Sequence, residues 1–223
     1  MPQEISHLDF EVLETSALDP RQRAALLELF ASNYRDADPG FVDRSLSTLR
    51  HVAVARDRGT AIGFALGETR TMDLPRLPGQ IVNLAGLCCI DPAFRRHGLF
   101  GDLTRRAMGS DPHAGTARRL FCGRVAHPAA YRTIARLAGT VPRAGIPPTP
   151  WQRDVGRVIA AAYRVFDFDP DTFVCIGRGC PIGVPRIEFE IEPAEWQAFA
   201  AVDRSRGDAL LALGWLPDAP PGW

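Results

Sequence analysis

From residue 80 to residue 90 the chain is largely apolar. It then meets Asp91-Pro92, two arginines at 95 and 96, Gly98, and an amphipathic run beginning at Leu99. No other stretch limits the fold as much, because an apolar strand that stops at a proline and passes through a glycine into a helix defines a strand–turn–helix unit. The same order builds a seat for an anion. The first turn of a helix carries backbone N–H groups without intrahelical partners and the positive end of the helix dipole, and Gly98 lets a ligand approach the backbone closely. A phosphate or pyrophosphate suits that seat. The residues also suit an ordinary strand-to-helix turn with two solvated arginines.

The flanking pattern supplies the neighbours of this unit. Phe10–Glu14 alternates like a strand, and Asp19-Pro20 caps a helix whose Ala25, Leu26, Leu29 and Phe30 share one face. A short helix follows from about Pro39 to Leu49. Strands are expected at His51–Arg56, Thr60–Met72 and Gln80–Ile90, with a hairpin turn at Asp57-Arg58-Gly59 and a loop from Leu74 to Gly79. The motif helix should span Gly98 to Met108. A strand at Arg118–Val125, a helix at Pro128–Leu137 and a last strand near Val141 complete the series. Such an order predicts an α/β (α+β) protein with a mixed central sheet flanked by helices on both faces.

Charge narrows the function classes. The chain of 223 residues carries 26 basic and 26 acidic side chains, so no basic field exists to neutralise a nucleic acid. Every basic residue is arginine; lysine is absent. Schiff-base chemistry, a pyridoxal-phosphate lysine and a phosphate-loop lysine are thereby excluded. Five cysteines, at 88, 89, 122, 175 and 180, an odd count without a Cys-x-x-Cys pair, argue against a disulfide framework and a zinc site, and no metal is expected. The polar, acidic start Met1-Pro2-Gln3-Glu4 lacks signal-peptide character and no apolar run reaches membrane-span length, so a cytoplasmic protein without a membrane partner is expected.

Ile90, Pro92, Arg95 and Gly98 resemble the signature of the GNAT superfamily of acyl-CoA-dependent acyltransferases. Phe100 stands where that pattern has Gly or Ala, with Gly101 just after it. The element order extends the resemblance to roughly residues 8–145. It implies a GNAT fold in which the sheet splays after the central strand to receive a pantetheine arm. It also implies acetyl-CoA or another acyl-CoA as co-substrate. Cys88, Cys89 and Ile90 would then pair with the pantetheine and thioester through their backbone, while Arg95, Arg96, His97, Gly98, Leu99, Phe100 and Gly101 hold the pyrophosphate.

The resemblance says less about proton transfer. The position that carries a glutamate in many family members is Leu84 here, with Asn83 beside it. Glu68 on the preceding strand and Asp91 at the strand end are the nearest carboxylates, Asp91 also suiting a turn cap. His127 titrates nearer neutrality, and it stands where the family often has a pantetheine-binding asparagine, so it is a candidate for catalysis or binding. The family's usual tyrosine position is Ile134, which leaves Tyr131, one turn earlier, as the nearby phenol. His127, Tyr131 and Glu68 are thus the catalytic candidates.

Residues 146–223 lie beyond the resemblance, and Pro147-Pro148-Thr149-Pro150 marks the boundary. A helix is expected at Trp151–Phe166, a loop at Gly177–Gly183, a strand at Arg186–Ile191 and a helix at Pro193–Val202, followed by a Trp- and Pro-rich tail. This C-terminal α/β extension would fold over the core and shape the acceptor pocket; a plain core extension or a homodimer contact is the alternative. The expected activity is N-acyl transfer to a primary amine of a small molecule or peptide. A GNAT-like CoA-binding module without catalysis is the alternative from another class, and O-acylation a third reading.

Overall fold

The computed structural model describes residues 7–38, 40–109, 117–186 and 190–223. In chain order the elements are β1 (Asp9–Glu14), α1 (Pro20–Asn33), β2 (Tyr34–Arg35), α2 (Phe41–Leu46), β3 (His51–Asp57), β4 (Thr60–Leu74) and β5 (Leu77–Ile90). Then come α3 (Leu99–Ala107), β6 (Arg119–Val125), α4 (Pro128–Ile134), β7 (Ala138–Val141) and α5 (Pro150–Ala162). The two-residue strands β8 (Phe168–Asp169), β9 (Val174–Cys175) and β10 (Val184–Pro185) precede β11 (Ala209–Leu216).

Among the described residues nine strands form one sheet in the order β1-β3-β4-β5-β6-β11-β9-β8, with β7 also pairing with β11. Within it all pairings are antiparallel except β5 with β6. The two faces read directly off β3. Val52 and Val54 enter the larger core beneath α1 and α2, whereas Ala53 and Ala55 face the other way, onto Leu99 and Leu103 of α3. Small alanines there let α3 lie close to the sheet. Burying each of those two leucines contributes roughly 1.5–3 kcal/mol. At the start of α1, Asp19 accepts from the Gln22 N–H at 2.8 Å and Gln22 Oε1 accepts from the Asp19 N–H at 2.9 Å, a reciprocal cap that satisfies two helix-end donors.

Through β7 the elements follow the expected order, with shifted ends and with the unexpected two-residue strand β2 between α1 and α2. The expected loop at Leu74–Gly79 contracts to a tight turn at Pro75-Arg76, because β4 and β5 pair as far as Leu74 and Leu77. The larger difference is β11. The run expected as a tail is a sheet strand, buried from Ala209 to Trp215, inserted between β6 and β9. The division expected at 145/146 therefore does not divide the sheet. The helix expected at Pro193–Val202 is a 3-10 helix over Pro193–Phe199, and α5, expected to reach Phe166, stops at Ala162. Of the strand expected at Arg186–Ile191, residues 187–189 lie outside the described residues, Arg186 follows β10, and Glu190 and Ile191 are not in a strand. All five cysteines are free thiols. No helix among the described residues is long and apolar enough to cross a membrane.

Candidate active site

The site begins as an irregularity in β5. Ala65 pairs with Cys88 and Gly67 with Ala85, so Leu66 alone faces both Gly86 and Leu87. This bulge needs glycine: a Cβ at 86 would stand 2.6 Å from Leu49 Cδ1 and 2.8 Å from Leu66 Cβ. A bulge bends its strand and increases local twist. The parallel pairing of β5 with β6 accordingly ends at Ala85 and Gly123, while β5 runs on to Ile90 beside β4 alone. The sheet forks. At the crotch the Tyr163 hydroxyl lies 2.7 Å from the Ala85 carbonyl and 2.9 Å from that of Cys122, so the single O–H of one buried phenol is shared between both strands where their ladder stops.

The open end of the fork is a cleft of about 360 Å³. Its first wall is the end of β5. The Asp91 N–H bonds to Ile62 on the β4 side, and the Ile90 carbonyl turns the opposite way to accept from Arg95 Nε at 3.0 Å. By the two-residue alternation of a strand, the N–H groups of Cys88 and Ile90 face the gap. Burial pushes the Cys88 thiol up to about 12 and raises Cys89 as well, which favours the protonated thiol in both.

The turn into α3 supplies the floor at the mouth. Arg96 (φ 68°) and Gly98 (φ 81°) both have left-handed backbones, and nothing lies within 4 Å of where a Cβ on Gly98 would be. Gly98 caps α3 without a side-chain bond, and the first intrahelical bond runs from the Asp102 N–H to the Gly98 carbonyl. The N–H groups of Leu99, Phe100 and Gly101 thus open the helix without intrahelical acceptors, at its positive end.

The anion-seat residues proposed from sequence line this cleft, with two corrections. His97, half-buried, is not among the lining residues. Arg95 lines the cleft but its guanidinium is committed to the protein: Nε to Ile90 O, one terminal nitrogen to Arg186 O and the other to Asn33 Oδ1. It ties the end of β5 to the end of α1 and to the segment after β10, and is a clamp more than a phosphate ligand.

Of the three catalytic candidates, the structure brings only His127 to the cleft. Glu68 makes two bonds of 2.8 Å to Arg70 and accepts the Arg50 N–H at 3.2 Å. Burial acts to raise its pKa, but bonding and charge from Arg70 leave it lowered, an ion-paired carboxylate away from the cleft. Tyr131 donates to the Pro142 carbonyl and packs edge-on against Phe199, 5.8 Å between centroids. Leu84 is core, and Asp91 caps its own turn by accepting from the Ala93 N–H at 2.8 Å.

His127 is held in one tautomer. Its Nδ1 accepts from the Ala129 N–H at 3.2 Å as the N-cap of α4, so in the neutral ring the proton sits on Nε2. Burial, then the charges of Arg204 and Arg132, push its pKa down to about 4. It is therefore neutral at physiological pH and a hydrogen-bond donor, not a base. The shift has a measurable sign. Between pH 6.5 and 4 the unfolded chain binds this proton before the folded one, so stability should fall as pH drops through that window. His127→Asn should flatten that part of a Tm-against-pH curve; an unchanged slope would refute the burial.

The second wall was not visible in the sequence. Tyr34, directly after α1, stacks on Phe30 at 4.6 Å and lines the cleft, its hydroxyl without a partner among the described residues. Burial raises its pKa, with Cys89 and Cys88 nearby adding to the shift, so the phenol stays protonated. Pairing of β10 with β2 brings Pro185 and Arg186 beside it. Behind His127 stand Trp196, edge-on at 5.1 Å, and Arg204 over the Trp196 ring at 5.8 Å. The pairing of two-residue strands and a few long-range hydrogen bonds join these distant segments, and no local pattern announces that.

No family model and no curated protein matches the chain. Among solved structures it is similar to an acyl-CoA N-acyltransferase from Pseudomonas aeruginosa, at 21% identity over 62% of this chain and 93% of that one, with a TM-score of 0.40. It is also similar to ElaA from Escherichia coli, at 16% identity over 64% and 92%, TM-score 0.39. Aminoglycoside N-acetyltransferase AAC(6')-Iy in complex with CoA is similar at 17% identity over 60% and 87%, TM-score 0.40.

Proposed function

We propose that this chain is a GNAT-type, acyl-CoA-dependent N-acyltransferase, with acetyl-CoA as the donor to test first. One observation carries the reading: an unoccluded, left-handed Gly98 opens α3 at the mouth of a fork whose inner edge presents the N–H groups of Cys88 and Ile90. That places anion donors and strand-edge donors along one path, as a pyrophosphate joined to a pantetheine arm requires.

The residues divide the work as follows. The amides of Leu99 to Gly101 hold the pyrophosphate. The Cys88 and Ile90 N–H groups and His127 Nε2–H orient the arm and polarise the thioester carbonyl. Tyr34 faces the sulfur. The reaction forms a C–N bond, breaks a C–S bond and moves one proton from nitrogen to sulfur, so it is balanced without an external acid or base. A buried phenol above its ordinary pKa is a poor outright acid toward a thiolate, but it relays well: it donates to the departing sulfur as it accepts from the nitrogen of the adduct.

Calorimetry with acetyl-CoA and a thiol-release assay across primary amines test the reading. Absence of acetyl-CoA binding would overturn it; binding without thiol release from any amine would make the chain a CoA-binding module. Tyr34→Phe should lower kcat by about 100-fold or more, within the usual range of roughly 10²–10⁴-fold for a positioned proton-transfer group, with the acetyl-CoA Kd unchanged. Full kcat in that variant would remove Tyr34 from the mechanism.

A further inference from the structure

Resting on the acyltransferase reading, we infer that the acceptor is an amine carrying a carboxylate or similar anionic group held by Arg186, and not a polycationic amine. The cleft's charge inventory is one-sided. Its described lining includes Arg95, Arg96, Arg186 and His127, and no aspartate or glutamate. Arg95 is committed to Ile90, Arg186 and Asn33 acceptors. Arg96, next to Gly98, belongs to the mouth where the donor's phosphates would lie.

Arg186 is on the opposite wall. Its own N–H bonds to the Asn33 carbonyl at 2.8 Å, and β10 pairs with β2 immediately before it, which sets it beside Tyr34. Its exposed guanidinium has no ion-pair partner among the described residues. Behind this wall Arg204 adds a second positive charge: one nitrogen donates to the Gly183 carbonyl at 2.9 Å, while its buried Nε has no partner among the described residues.

Among the described lining residues a ligand with several ammonium groups would meet like charge and no carboxylate. A carboxylate would meet a planar donor fork suited to bidentate binding. The same positive wall answers the lack of a carboxylate base. Nearby cations disfavour a bound ammonium and lower the pKa of the acceptor amine, so the acceptor would be held in the neutral, nucleophilic form.

The test uses the full chain, CoA or acetyl-CoA, and three probes: an α-amino acid, its carboxamide and a linear triamine. Binding to the CoA complex is read by calorimetry and turnover by thiol release. The amino acid should bind at least about tenfold tighter than its amide, with no binding of the triamine. Arg186→Gln should erase that preference while leaving the KM for acetyl-CoA and the weak binding of the amide unchanged. Preference for the amide or the triamine would overturn the inference, as would an Arg186→Gln effect on acetyl-CoA, which would assign Arg186 to the donor's phosphates. Charge-selective binding without thiol release would uphold the inference and overturn only the acyltransferase reading.

Discussion

Gly98→Glu should weaken acetyl-CoA binding by about 100-fold or more, beyond calorimetric detection for a donor of ordinary affinity. Two effects add. At φ 81° any Cβ is strained, at about 1 kcal/mol. The larger effect is charge: a carboxylate about 4 Å from a phosphate oxygen is opposed by roughly 4 kcal/mol at an effective dielectric near 20. Gly98→Ala separates the two. No atom lies within 4 Å of the added methyl, so that variant should fold and lose affinity only a few-fold. Equal affinities for the Gly98→Glu variant and the parent chain would remove the pyrophosphate from this turn.

Trp215→Ala should lower stability by about 3–5 kcal/mol, and a chain ending at Asp208 should show no cooperative thermal transition. Trp215 is fully buried on β11. Its ring meets Trp223 edge-on at 5.2 Å, and Trp223 meets Trp151 at 5.4 Å, so one truncation opens a cavity against Trp223 and loosens the ring that packs on Trp151. Its buried Nε1 has no hydrogen-bond partner among the described residues, which draws the loss toward the lower end of that range. Removing β11 does more, because β6, β7 and β9 all pair with it. Chemical denaturation followed by tryptophan fluorescence measures the first effect and calorimetry the second. A native-like melt of the shortened chain would show that β11 lies on the core and is not part of it.

The contrast between these two sites explains what could be read from sequence. Pro92 and Gly98 punctuate the motif locally, and a helix with a clear apolar face follows, so strand, turn and helix were legible together. Ala209–Leu216 is apolar without alternation because both of its faces are buried, and such a run carries no period to separate strand from helix. The cleft divides the same way. Its β5–α3 wall is contiguous in sequence, whereas Tyr34 and Arg186 are brought side by side by long-range contacts, the pairing of β2 with β10 and the Arg186 N–H bond to the Asn33 carbonyl. Glu68 and Tyr131 have suitable chemistry, but partners elsewhere, Arg70 and the Pro142 carbonyl, hold them.

The place of β11 also sets the timing of assembly. Residues 126–208 separate it from the β6 strand it joins, so the edge of β6 stays open until a contact of long sequence separation closes it. Such pairings form slowly, and an unpaired apolar edge invites association with other chains meanwhile. The fork between β5 and β6 rests on that edge. The wall that Tyr34 and Arg186 form is accordingly complete only once residue 186 has been synthesised, and the chain on the ribosome carries the turn from β5 into α3 well before it has the wall that faces it.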